Sequence, residues 1–488
     1  MGSCASRGLL PHPQVETKSG VVEGCRHPMP GCKGEHVNVW LGIPFATPPL
    51  GPLRFTKSKP PAPWKEVLIC RRYRARPIQT RTPWDHVDVG PTDESCLFLN
   101  IVGPGRTSEK HPVILFFPSP LQCVCLKQGY PVLLYIHGGG FSMDSASKYN
   151  WRACARQSFR LPSFHLLCLR SLVRHDVIVV TVEYRRVVAG GLLGYLGFFV
   201  LDDTHAKGNY GLSDMILGLG FVKENIAAFG GDPGRITVFG QSAGAVSTGL
   251  LCISPASRDL FQQAILMGGF PESSWGVNDR SYAIAISRRK ALKLGFRRMS
   301  TQAEWSDEEN RQCVEFLRKL PAARFGMTML GEFALLRELR LRMAPVVDTD
   351  MLPGSIRELT ANAPVKRKML LAFSRRDGKF AAQLIARAHE KIELWAKERG
   401  REMPLTIEAF RQLYGISEML LHSKKEMQRV IVRCMSEFIN EAPMHAHVLK
   451  SLEREGTVYR YVFDHHNRFI TALFNGRLPS SPQRTGQK

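Results

Sequence analysis

Residues 236–245 read Ile-Thr-Val-Phe-Gly-Gln-Ser-Ala-Gly-Ala, a β-rich run ending in Gly-x-Ser-x-Gly that passes straight into a helix-compatible stretch over 243–253. A serine on so tight a strand-to-helix turn tolerates only small neighbours, which Gly240 and Gly244 supply. The turn lifts Ser242 Oγ to the carboxyl edge of a sheet. The helix N-terminus behind it favours negative charge developing there.

A second glycine motif adds to the first. Tyr135-Ile136-His137-Gly138-Gly139-Gly140-Phe141 also follows a buried apolar run, 132–136. Consecutive glycines let backbone N–H groups come close to a substrate, as an oxyanion hole requires. Further strand-like runs lie at 177–182, 236–239, 264–267, 345–347, 369–373 and 457–463. Between them 211–228 has helical spacing and is broken by the glycine-rich 230–234, while 280–455 is mostly amphipathic helical pattern, as in 382–399 and 417–438. Strands separated by helices predict an α/β fold with a central, mostly parallel sheet and helical insertions in the second half.

Composition narrows the partners. Lys and Arg number 66 against 43 Asp and Glu, a formal charge of +23, yet hydrophobic residues at 44% are ordinary globular usage. The basic runs at 71–81 and 288–298 come with no zinc finger, basic zipper or aromatic RNA-binding motif, so they read as solvated surface and no nucleic-acid partner is expected. The 12 cysteines include no CxxC pair and no metal-site spacing, and the nucleophilic-serine chemistry that the two glycine motifs point to implies no metal or organic cofactor. No apolar run reaches membrane-span length, and residues 1–14 lack the apolar core of a secretory signal. Met1-Gly2-Ser3-Cys4-Ala5-Ser6 fits a myristoylation pattern at Gly2, with Cys4 placed for a second acyl chain. The expectation is a cytoplasmic protein that can touch a membrane through an acylated N-terminus.

The motifs together resemble the type-B carboxylesterases, the family of cholinesterases and neuroligins, from about Val15 to about Asn467. The resemblance rests on the two glycine motifs, on 40–46 (WLGIPFA) with 48–55 (PPLGPLRF), on 94–100 (ESCLFLN) and on the long block 209–244. It implies the α/β-hydrolase fold in a domain over 15–475, between a flexible 1–14 and an atypical tail, 476–488. It also implies Ser242 as acylated nucleophile, with Gly139, Gly140 and Ala243 as oxyanion donors. The acid is expected in the loop after 345–353, where Asp377-Gly378 stands in place of the usual Glu-Gly. Asp can orient an imidazole as Glu does.

Departures matter too. The family's His-x-x-[Glu/Asp] segment is not found, and 469–488 holds no histidine. His465 and His466 resemble a secondary position, while His445 and His447 match nothing. Segments 119–129, 158–171 and 186–192 have no counterpart in the family pattern and, with the odd C-terminus, look like translated intron or misjoined exon. The usual partner of Cys96 would fall at 76–79, where no cysteine stands, and Cys70 is out of register, which points to a reducing compartment. Trp84 is poorly placed for a choline cation, so general carboxylic esters are the expected small-molecule substrates. The alternatives are a catalytically impaired or non-catalytic member of the family.

Overall fold

The computed structural model describes residues 11–29, 35–79, 90–105, 129–148, 172–185, 195–302 without 203, 304–325, 340–364 without 348, 368–374, 412, 437, and 441–463 without 455. Its strands are β1 (Gln14–Thr17), β2 (Gly20–Glu23), β3 (Cys25–Pro28), β4 (His36–Pro44), β5 (Leu68–Ile69), β6 (Phe98–Pro104), β7 (Tyr130–Ile136), β8 (Ile178–Val182), β9 (Gly231–Gln241), β10 (Gln263–Met267), β11 (Lys368–Ser374) and β12 (Val458–Phe463). Nine of them form one sheet in the order β12-β11-β10-β9-β7-β8-β6-β4-β3, and β1, β2 and β5 form a small one.

The pairs from β12 to β8 are parallel, and β8–β6, β6–β4 and β4–β3 are antiparallel. Parallel strands are covered by helices on both faces, and so every residue of β8 is buried. The Gly-x-Ser-x-Gly strand, β9, lies between β7 and β10, in register Leu134↔Val238 and Ile265↔Phe239. The helix Ala243–Ile253 packs on β9, β10 and β7, and all its residues are buried. Ser242 therefore sits at the carboxyl edge of the middle of the sheet, which is the α/β-hydrolase arrangement.

Several expectations shift in detail. Only Gly230 (φ 87) acts as the expected break, because Gly231 already pairs with Tyr130 and 231–234 enter β9 as an irregular extension. The run 345–347 is not a strand but a single bridge, Asn278↔Val346. Ahead of β1, Pro13 O accepts from Gly24 N and Trp40 Nε1. The helices expected at 382–399 and 417–438 lie outside the described residues, except Glu437. So do 158–171, 186–192 and all of 119–129 but Gly129. Cys70 and Cys96 are both buried, and burial pushes the Cys70 thiol up to about 12. No described helix is long and apolar enough to cross a membrane.

The helical second half is tied on by a residue of the PPLGPLRF motif. Arg54 pairs with Glu94 at 2.6 Å, and its Nη1 donates to the carbonyls of Leu317, Arg318 and Leu320 at the end of the helix Asp307–Lys319. A guanidinium there answers carbonyls that no helical N–H can reach.

Candidate active site

The serine turn has the geometry its sequence demands. Ser242 has φ 56 and ψ −123, a left-handed conformation that costs a side-chain-bearing residue about 1–3 kcal/mol. It persists because its surroundings leave no alternative. Ser242 N donates to Met267 O at 2.8 Å, and Ser242 O accepts from Ala245 N and Val246 N. A Cβ on Gly240 would overlap Gly244 O, one on Gly244 would overlap Ile136 O, and one on Gly269 would overlap Ser242 O. The side chain is half-buried, and Oγ has no hydrogen bond to any described residue.

The two glycine motifs meet here. A Cβ on Gly138 would lie 2.5 Å from Gln241 O and 3.3 Å from Ser242 Cβ. Beyond it the backbone turns left-handed at Gly139 (φ 95) and Gly140 (φ 60). Each amide's direction is set by the carbonyl sharing its peptide plane, since C=O and N–H point oppositely across a trans peptide. The Gly138 carbonyl accepts from His137 Nδ1 at 3.0 Å, which aims Gly139 N–H away from that ring. The Gly139 carbonyl accepts from Ser142 N, Ser142 Oγ and Met143 N at 2.9–3.0 Å, which turns Gly140 N–H outward. No described carbonyl takes either N–H. Ala243 opens the helix, so its N–H lacks an intrahelical acceptor by geometry.

Behind the loop, His137 is fully buried, stacks on Tyr184 at 4.4 Å and sits 3.5 Å from Glu183. Tyr184 OH donates to His137 O at 3.1 Å. The segment leading toward the expected acid is anchored by Asn209, itself left-handed at φ 56. Its Nδ2 donates to Val346 O (2.7 Å) and Thr349 Oγ1, and its Oδ1 accepts from Val346 N (2.8 Å). Asn209→Ala would orphan both Val346 groups in a buried place and is expected to cost about 2–3 kcal/mol, read as a lower urea midpoint.

Ser242, Gly139, Gly140 and Ala243 are thus brought together. Asp377, His465, His466, Trp84, Gly2 and Cys4 lie outside the described residues. His447, which matches nothing in the sequence patterns, is buried against Glu272 (Nδ1 to Oε2 3.0 Å) and Met369 Sδ. Among the described residues, one group has donor atoms close enough for a metal ion, Asp202, His205 and Asp307, all within 4.8 Å. His205 Nε2 is already 2.9 Å from Asp307, and Asp202 Oδ1 already accepts three turn N–H groups.

A serine at a strand-to-helix elbow, in the middle of a mostly parallel sheet and facing a glycine loop with free amides, defines an α/β-hydrolase. Within that class the chain belongs to the carboxylesterase family, whose sequence model matches residues 11–486. It is similar to the esterase cest-33 of Caenorhabditis elegans, 32% identical over 377 residues, covering 74% of this chain and 58% of the relative. It is also similar to the precursor of a medium-chain fatty acyl-CoA hydrolase of Anas platyrhynchos, 34% identical over 267 residues, covering 53% of this chain and 40% of the relative. Neuroligin-2 of Homo sapiens is 32% identical over 360 residues, covering 70% of this chain and 38% of its own length. The chain spans about half the length of these curated relatives.

Proposed function

We propose that the protein is a serine hydrolase of carboxylic esters that works through an acyl-enzyme on Ser242. The observation that carries this reading is the accessible Ser242 beside amides whose carbonyls are already engaged. Ser242 Oγ bonds to the ester carbonyl carbon while its proton passes to a base. The carbonyl electrons move onto the oxygen, where Gly139, Gly140 and Ala243 N–H groups and the helix N-terminus stabilise the charge. Collapse breaks the C–O bond, and the alcohol leaves with that proton. Water then repeats the sequence, releasing the acid and restoring Ser242. Asp377 is the acid that would orient an imidazole base. No described histidine lies within hydrogen-bond reach of Ser242 Oγ.

A fluorophosphonate label read by peptide mass spectrometry, with a p-nitrophenyl butyrate assay, tests the proposal. Label on Ser242 with turnover supports it. Folded protein that neither labels nor turns over supports the second reading, a non-catalytic member, which the similarity to neuroligin-2 favours. For location we propose a cytoplasmic membrane surface, reached by acylation of Gly2 and Cys4. Incorporation of an alkynyl myristate that Gly2→Ala abolishes is the expected result, and none in the unaltered protein would refute it.

A further inference from the structure

The loop that carries the oxyanion amides is strained at its far end as well. Phe141 (φ 55) and Asp144 (φ 90) are left-handed in addition to Gly139 and Gly140, and both bear side chains. Such a run persists only where the surroundings over-determine it. Its first end is continuous with β7, and the Phe141 ring is buried edge-on to Phe198 at 5.1 Å. The Ser142 and Met143 bonds to Gly139 O are internal, so they shape the loop without fixing its place.

What fixes the far end comes from elsewhere in the chain. Gln79 Nε2 donates to Asp144 O at 2.6 Å, and Asp144 N donates to Gln79 Oε1 at 3.0 Å, across 65 residues. One buried carboxamide thus answers both backbone groups of the residue that closes the loop, as a neighbouring strand would. The Asp144 carboxylate meets Ser145 N and Lys148 Nζ at 3.0 and 3.3 Å, so the side chain is tied to the next turn and the backbone to Gln79. Met143 O occupies the space that a Cβ on Gly139 would need, so movement at 143–144 is transmitted directly to Gly139.

We propose that Gln79 is a positioning residue for the oxyanion loop, holding Gly139 and Gly140 N–H where charge develops on the substrate oxygen. This rests on the esterase reading for its kinetic consequence, and on the loop geometry alone for its structural one. At neutral pH only a carboxamide of this length both donates to Asp144 O and accepts from Asp144 N. A glutamate at 79 would set a carboxylate against Asp144 O, and an asparagine would fall one methylene short.

The test compares wild type, Gln79→Ala and Gln79→Glu with p-nitrophenyl butyrate and by amide hydrogen exchange. Gln79→Ala is expected to lower kcat by about tenfold or more with KM within about twofold, because the donors act mainly in the transition state. Exchange should rise in 139–144 and stay unchanged in β7, β9 and β10. Gln79→Glu should regain activity relative to wild type as pH falls from about 8 to about 5, since burial beside the Asp144 carbonyl raises a carboxyl there and, once protonated, it again donates to Asp144 O. Unchanged exchange at 139–144, or a loss spread over the whole sheet with kcat and KM moving together, would overturn the proposal. If the wild type does not acylate, the esterase reading fails separately. The local exchange result then still decides whether Gln79 holds the loop.

Discussion

Ser242→Ala is expected to lower ester hydrolysis on the order of 10⁴- to 10⁶-fold, because the acyl-enzyme can no longer form and only binding and the oxyanion donors remain. Its stability should stay close to wild type, since Ser242 Oγ has no described partner to lose. A second substitution separates geometry from chemistry. The pair φ 56, ψ −123 mirrors an ordinary extended conformation, one that glycine adopts freely and serine does not. Ser242→Gly should therefore be equally inactive yet more stable by about 1 kcal/mol, the relieved strain less the added chain entropy. Urea denaturation decides it. A glycine variant no more stable than the alanine variant would mean that the elbow holds no strain worth releasing.

The next largest effect is expected on stability, at an ion pair. Glu272 and His447 are both buried, 3.0 Å apart, with Lys450 Nζ 3.3 Å from the same carboxylate and Phe270 beside the imidazole. Burial by itself would raise the Glu272 carboxyl. The opposing charge and hydrogen bond of His447, with Lys450, hold it below the ordinary carboxylate range. His447→Leu leaves that carboxylate with Lys450 alone and is expected to cost about 3 kcal/mol. The sign with pH follows from the lowered value. The stabilisation is fully present above the unfolded carboxyl value, near 4.5, and is lost as pH falls through the lower folded one. Glu272→Gln should therefore be less stable than wild type at neutral pH, with the gap closing in acid below about pH 4.5. A constant gap across that range would show that Glu272 contributes packing rather than charge.

The elbow and the glycine loop are legible in the sequence because their constraints are local. Gly240 and Gly244 are small because of clashes within a few residues or with the adjacent strand, and such demands leave a contiguous motif. Apolar runs likewise mark β7, β8 and β10, each buried by covering layers. The run 345–347 misleads for a definite reason. Its apolar triplet suits a strand, but Asn209 takes both the N–H and the C=O of Val346, the groups a ladder would use. The contacts of Gln79, Asn209 and Glu272 are not legible in the sequence, for a common cause. Their partners lie 65, 137 and 175 residues away, and a polar side chain answering a distant group imposes no periodicity.

The order of strands across the sheet also governs how the protein emerges during synthesis. β7, β9 and β10, which carry the serine turn and its glycine loop, are complete once Met267 has been made. β11, the strand that pairs with β10, is complete only at Ser374, roughly 100 residues later, and β12 then covers β11 once Phe463 is made. At ribosomal rates the wait for β11 lasts about 5–20 s. Throughout it, the free edge of β10 offers unpaired backbone groups to any passing strand. The nascent chain thus holds the serine turn and its glycine loop with one open, adhesive side, and chaperone demand should peak in that interval.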